Sequence, residues 1–175
     1  AATASAQWVA DGLAMETPRG LRLTPEGRVW VDGLLAEERA GIDAAAAEAA
    51  YERFCEHNGS FKQLVTDWQI KVVDGEQTLN DHTDAAYDQA IFARLHVLHE
   101  AALGVLHEVG TICPRLARYV GRFEKALANL DGGDQSWLAA PMKDSYHTVW
   151  FEYHEELILL CGRSRADEAA AGRGA

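Results

Sequence analysis

Two apolar stripes separated by a single proline constrain the fold of this chain more than any other feature. Ile91, Leu95, Leu98, Ala102, Leu106 and Val109 recur at spacings of three and four, which places all of them along one side of a helix. Leu116, Val120, Phe123, Leu127 and Leu130 repeat that pattern after Pro114. A proline disfavours helical backbone at the residue before it, so the first helix ends there and the second starts afresh. Two amphipathic helices joined by so short a break bury their stripes against each other as antiparallel neighbours. The expected fold class is all-α, a bundle of about five to six helices.

The remaining punctuation fills in the other elements. Ser5 to Ala14 reads as a short helix, and Glu16 to Leu23 as a small hairpin broken by Pro18 and Gly20. Thr24-Pro25-Glu26 supplies an N-cap, a proline at the first helical position and an acid in the first turn, starting a helix through Trp30, Leu34 and Leu35. Asp43 caps an alanine-rich helix expected to end at Asn58-Gly59, with Ser60 capping the next, which carries Phe61, Leu64, Val65 and Trp68. Val73 to His82 lacks helical periodicity and predicts a loop. Thr83 and Asp84 open the first long stripe. Gly132-Gly133 breaks the chain, Asp134 caps a turn around Trp137 and Leu138, and a last helix is expected near Lys143 to Cys161, with Gly162 at its end. The expected organisation is an element over 1–40, a helical bundle over 41–162 and a flexible tail over 163–175.

A chain of 175 residues is long enough to bury one core. Cys55, Cys113 and Cys161 stand far apart with no paired spacing, which predicts free thiols in a reducing compartment rather than a disulfide framework. There is no basic leader, and no apolar run reaches the roughly 18–20 residues that cross a bilayer, so a soluble, cytoplasmic protein is expected. Sixteen basic residues against 27 acidic ones give a net charge of −11, which opposes attraction to phosphate backbones or anionic lipid. Nucleic acid and membrane are thereby disfavoured. A small molecule or a protein partner, including a second copy in a homodimer, is expected instead.

Histidine and carboxylate placement supplies the candidate site. His96, His99 and His107 flank the apolar stripe of the long helix, but His107 lies about 12 Å along the axis from His99 at 1.5 Å per residue, so one ion could take only His96 and His99. On the last helix His147, Phe151, His154 and Ile158 share an inward face, where buried imidazoles need hydrogen-bond partners. A third cluster, Asn80-Asp81-His82-Thr83-Asp84 with Tyr87 and Asp88, concentrates acids at a helix N-terminus, where capping and the helix dipole explain most of them. Convergence of Asp81, His82 and Asp88 with His147 and His154 would make a carboxylate–imidazole pocket; a metal there would draw on His147, His154, His96 and His99. The chain has no HExxH, Walker A, GxGxxG or GxSxG pattern, which leaves any cofactor unknown and no catalytic residue identifiable.

Ala6-Gln7-Trp8-Val9-Ala10-Asp11-Gly12-Leu13, with Arg19-Gly20-Leu21-Arg22-Leu23-Thr24-Pro25-Glu26-Gly27-Arg28, resembles the last helix, wing and following helix of a winged helix-turn-helix. Thr66-Asp67-Trp68-Gln69, Asn80-Asp81-His82 and Asp144-Ser145-Tyr146-His147-Thr148-Val149-Trp150-Phe151-Glu152 resemble a helical region of actinobacterial phosphoenolpyruvate-utilising, pyruvate phosphate dikinase-like proteins. The phosphorylatable histidine loop and ATP-binding domain of such dikinases do not occur here, so phosphoryl transfer does not carry over. Arg19, Arg22 and Arg28 are offset by Asp11, Glu16, Glu26 and Asp32, which leaves the winged element without positive surplus for DNA.

The function expected is therefore a non-catalytic regulatory or accessory domain that binds a small ligand or a partner protein, with Asp67, Trp68, Asp81, His82, Asp88, Asp144, His147, Trp150 and His154 as candidate ligand contacts. The alternatives are a metal- or small-molecule-binding sensor or enzyme with a His/Asp pocket, and a winged-helix transcriptional regulator.

Overall fold

The computed structural model describes residues 4–170, and the chain divides into two compact units, Ala1–Ile42 and Asp43–Ala175. In the first unit, helix α1 (Ala4–Ala10) leads into a hairpin of β1 (Ala14–Thr17) and β2 (Gly20–Leu23), followed by α2 (Pro25–Ala40). The strands pair antiparallel with Ala14 opposite Leu23 and Thr17 opposite Gly20. Thr24 caps α2 by accepting from the Gly27 N–H at 3.0 Å, while its own hydroxyl donates to the Gly12 carbonyl at 2.7 Å. Gly27 is required by contact: a Cβ there would stand 1.8 Å from the Leu13 carbonyl oxygen. Among the described residues of this unit only Ala14 and Gly27 are buried, and Val29 is 73% exposed.

The second unit is the helical bundle. Its first helix, α3 (Ala44–Gln69), is capped by Asp43, whose side chain accepts from the N–H groups of Ala45 and Ala46. α3 runs unbroken through Asn58-Gly59-Ser60, where the sequence predicts a turn between two helices. The reason lies in packing: Ala47, Tyr51, Phe54, Asn58, Phe61, Leu64 and Trp68 form one buried stripe across that segment, and the Asn58 carboxamide accepts from the Trp150 indole at 3.0 Å instead of capping. A continuous buried face outweighs the helix cost of a glycine, roughly 1 kcal/mol.

The segment expected as a loop is a second hairpin, β3 (Ile70–Val73) and β4 (Glu76–Leu79), with Ile70 opposite Leu79 and Val73 opposite Glu76. Asp74 and Gly75 turn it with φ of 53° and 86°, the left-handed pair that a two-residue hairpin requires. Asp84 then caps α4 (Ala85–Ile112) by accepting from the N–H groups of Ala86 and Tyr87. A 3-10 turn over Pro114–Ala117 reverses the chain into α5 (Arg118–Asp131), which returns antiparallel along α4, bringing Asp131 back to His96.

α6 (Ser136–Ala139) is a single turn, and α7 (Tyr146–Leu160) closes the core, starting three residues after the expected Lys143 because Ser145 is its cap. Phe61 stacks on Trp150 with centroids 4.3 Å apart, and Phe54, Phe123, Tyr146 and Tyr153 complete an aromatic cluster between α3, α5 and α7. Gly162, at φ 65°, ends α7 in a Schellman motif: its N–H donates to the Leu159 carbonyl and that of Arg163 to Ile158, each at 3.0 Å. Beyond it, where a flexible tail is expected, Arg165–Ala170 form α8; the part of that expected tail over 171–175 lies outside the described residues. Glu168 of α8 is buried, bonded to the Tyr51 hydroxyl and, at 2.8 Å, to Arg163.

Candidate functional site

The β3–β4 hairpin hands the chain to α4 through Asn80-Asp81-His82-Thr83, and the buried Asn80 side chain organises the passage. Its backbone N–H donates to the Gln69 carbonyl at 2.9 Å, and its Oδ1 accepts from the His82 N–H at 3.1 Å. Its Nδ2 has three neighbours at hydrogen-bond distance, the Trp68 carbonyl at 3.1 Å, Oδ1 of Asp88 at 2.9 Å and Nδ1 of His82 at 3.1 Å. Asp88, 1% exposed, faces Nδ1 of His82 with its other oxygen at 3.1 Å. Both oxygens of Asp88 lie within 3.3 Å of Nδ1, and an ionised carboxylate only accepts, so the neutral tautomer that fits this contact carries its proton on Nδ1. Nε2 is left with a free lone pair.

His82 sits at φ 56°, a left-handed conformation that few residues other than glycine adopt and for which Asn, Asp and His are enriched, and its ring lies over Trp68 with centroids 4.0 Å apart. Trp68 is braced in turn by Phe92 at 5.3 Å. Together Trp68, Gln69 and His82 form one side of a cleft of about 320 Å³ whose other side is Gln135, Ser136, Ala139 and Ala140. That far side is pinned by Asp134, which accepts from the Ser136 N–H at 3.2 Å and from Lys143 at 2.8 Å. Hydrogen bonds from Lys143 and Ser136 hold the Asp134 carboxyl down to about 2. Gln135 also lines a neighbouring cavity of about 380 Å³ with Phe92, His96 and Asp131, where His96 Nε2 and Asp131 Oδ1 are 2.8 Å apart. A larger groove of about 650 Å³ runs between α3 and α4 along Leu64, Val97 and Leu98 and contains none of the candidate contacts.

Of the residues singled out from the sequence, Trp68, His82 and Asp88 come together, and Asp88 does so as a buried clamp rather than as a helix-dipole acid. The others go elsewhere. Asp67 pairs with Arg94 at 2.6 Å, and Asp81 is held by Lys71 and Thr83, whose hydrogen bonds lower its carboxyl to about 2. Asp144 pairs with Arg122 at 2.8 Å, and Trp150 belongs to the aromatic core. His147 stands half-buried against Phe61, and His154, 2% exposed, stacks on Tyr51 with Nε2 lacking a partner among the described residues. Burial lowers the pKa of both.

The imidazoles of α4 and α7 have separate partners. His99 turns its Nδ1 to the Tyr146 hydroxyl at 3.1 Å while His96 goes to Asp131, so neighbours on one helix serve different partners. Among the described residues no group of three or more His, Cys, Asp or Glu side chains could hold a metal ion. Asn80, Gln69 and Gln135 are the residues that sequence reading did not assign to the site. Asn80 carries a signal, since an asparagine beside a histidine just before a capped helix can bond both flanks; a glutamine just before a one-turn helix carries none.

No family model, curated protein or solved structure matches this chain. The site therefore stands on its own geometry: an imidazole fixed in tautomer and orientation by a buried carboxylate, presenting a hydrogen-bond acceptor beside a cleft that could admit a small molecule.

Proposed function

We propose that the helical unit is a regulatory or accessory module that binds a small molecule in the cleft between His82 and α6. The supporting observation is the Asp88–His82 pair. A buried carboxylate and a left-handed backbone are both costly, and here they act together to hold one imidazole still at the edge of a cleft. The resemblance to a helical region of phosphoenolpyruvate-utilising proteins accords with an accessory role. So does a charge of −11, which favours a partner other than nucleic acid. The first unit, in this reading, makes protein contacts rather than reading DNA. A cytoplasmic location goes with the same proposal. No helix of the described residues is long and apolar enough to cross a membrane.

A thermal-shift screen of neutral, anionic and cationic metabolites, run in parallel on the wild type and on His82→Asn, tests the proposal. Asparagine tolerates the left-handed backbone, so the variant removes the imidazole without straining the turn. A ligand bound only to the native state raises stability by mass action. The expected result is at least one compound that raises the melting temperature of the wild type and fails to do so in the variant. Compounds that stabilise both proteins equally would place their site elsewhere and overturn the reading.

A further inference from the structure

The walls of the His82 cleft restrict what it can hold. Three polar groups there have no hydrogen-bond partner among the described residues: Nε2 of His82 and the carboxamides of Gln69 and Gln135. An acceptor nitrogen flanked by groups that both donate and accept matches a ligand edge on which N–H donors alternate with carbonyl or ring-nitrogen acceptors, as on a nucleobase. No Lys or Arg lines the cleft among the described residues. Lys143, which reaches Ser136 on the far wall, is committed to Asp134 at 2.8 Å. An anionic ligand would therefore enter without a counter-charge, against the field of an acidic chain.

Gln135 is common to this cleft and to the neighbouring cavity, whose polar members include the exposed carboxylate of Asp131. Acidic side chains accept hydrogen bonds from ribose hydroxyls in dinucleotide-binding folds, and Asp131 offers the same acceptor oxygens here. Phe92, which lines the second cavity, packs against Trp68, which lines the first, with ring centroids 5.3 Å apart. We infer that the two cavities together take an unphosphorylated nucleoside, with its base edge against His82 and Gln135 and its sugar hydroxyls on Asp131. This inference rests on the reading of the His82 cleft as a ligand site.

Titration of the full chain, labelled with nitrogen-15 at histidine, with adenosine, uridine, their 5′-monophosphates and free adenine tests it by NMR. A nucleoside should shift the side-chain resonances of both His82 and His96 and bind about tenfold more tightly than its monophosphate, a difference of about 1.4 kcal/mol. Asp131→Asn and Gln135→Ala change exposed residues and leave the core intact. The first should weaken nucleosides but not adenine; the second should weaken both. Equal or tighter binding of the monophosphates, or a His82 shift with His96 unmoved, would overturn the nucleoside assignment while leaving the cleft as a ligand site. The same holds if nucleosides have no effect and another metabolite shifts His82. If no metabolite in the screen described above shifts His82, the ligand site falls and the nucleoside with it.

Discussion

Oδ2 of Asp88 stands 3.1 Å from Nδ1 of His82, and the carboxylate that fixes this imidazole is itself inaccessible to solvent. Asp88 answers two donors at once, since Asn80 Nδ2 reaches its other oxygen at 2.9 Å. Asp88→Ala should therefore leave both donors short of an acceptor and cost about 1–3 kcal/mol of stability, the range for a buried polar group left unsatisfied. Urea denaturation measures it, and a loss below a few tenths of a kcal/mol would show that the network contributes little.

Gly59 gives an effect of opposite sign. It lies inside α3, and a Cβ there would meet nothing within 4 Å. Gly59→Ala should stabilise the bundle by about 0.5–1 kcal/mol, because alanine gives up less backbone freedom on folding into a helix. Its neighbour behaves otherwise: Asn58→Ala strands the buried Trp150 N–H and should destabilise by about 1–3 kcal/mol. The same denaturation curves measured on the two variants report both, and shifts of the same sign would contradict the continuous helix.

In the first unit, Gly27→Ala should be strongly unfavourable, since the added methyl would collide with the Leu13 carbonyl. Overpacking of this kind costs about 1–3 kcal/mol. Hydrogen exchange of the amides of α2 reads the effect locally, and faster exchange there, with the bundle unchanged, is the expected outcome.

Burial lowers the pKa of His99, His147 and His154 in the fold. In the unfolded chain each titrates near 6.5, about the value of a free imidazole. Between the folded and unfolded values the unfolded chain binds more protons, so stability is complete above about 6.5 and declines as pH falls below it. Asp81 and Asp134, held down to about 2, add their own losses only below about 4. His154 is the deepest of the three, packed against Tyr51 and Phe54, with Glu155, Glu168, Arg165 and Lys62 acting on it at longer range. Melting temperatures should drop between pH 7.5 and 5 in the wild type, and His154→Phe should drop less. Equal slopes for the two proteins would remove His154 from the explanation.

The all-α class was legible because the stripes on either side of Pro114 and the caps at Thr24, Asp43 and Asp84 act within a few residues of chain. The local signal misleads where a distant contact overrides it. Asn58-Gly59-Ser60 has every mark of a helix end, but Trp150, 92 residues away, claims the asparagine and keeps the helix whole. Asp74-Gly75 announces a turn, but its strands leave little trace in the sequence, since each flank is only four residues long. In the candidate site, Trp68, His82 and Asp88 could be named, but not that Asp88 would be buried beneath Asn80. That depends on where the hairpin sets the chain down. On α7 the spacing predicts one inward face, but only His154 and Ile158 of it are buried: His147 is half-buried and Phe151 is 41% exposed, and the aromatic core that His154 meets is specified by no spacing within α7.

The protonation of the His82 ring decides most directly whether Asp88 prepares an acceptor at the cleft. Long-range nitrogen–proton NMR distinguishes the two neutral tautomers of a histidine side chain. At pH 7.5 the free protein should show His82 with hydrogen on Nδ1 and a bare Nε2, and Asp88→Ala should lose that preference. A ring protonated on Nε2 in the wild type, or one unaffected by the substitution, would contradict the proposed site.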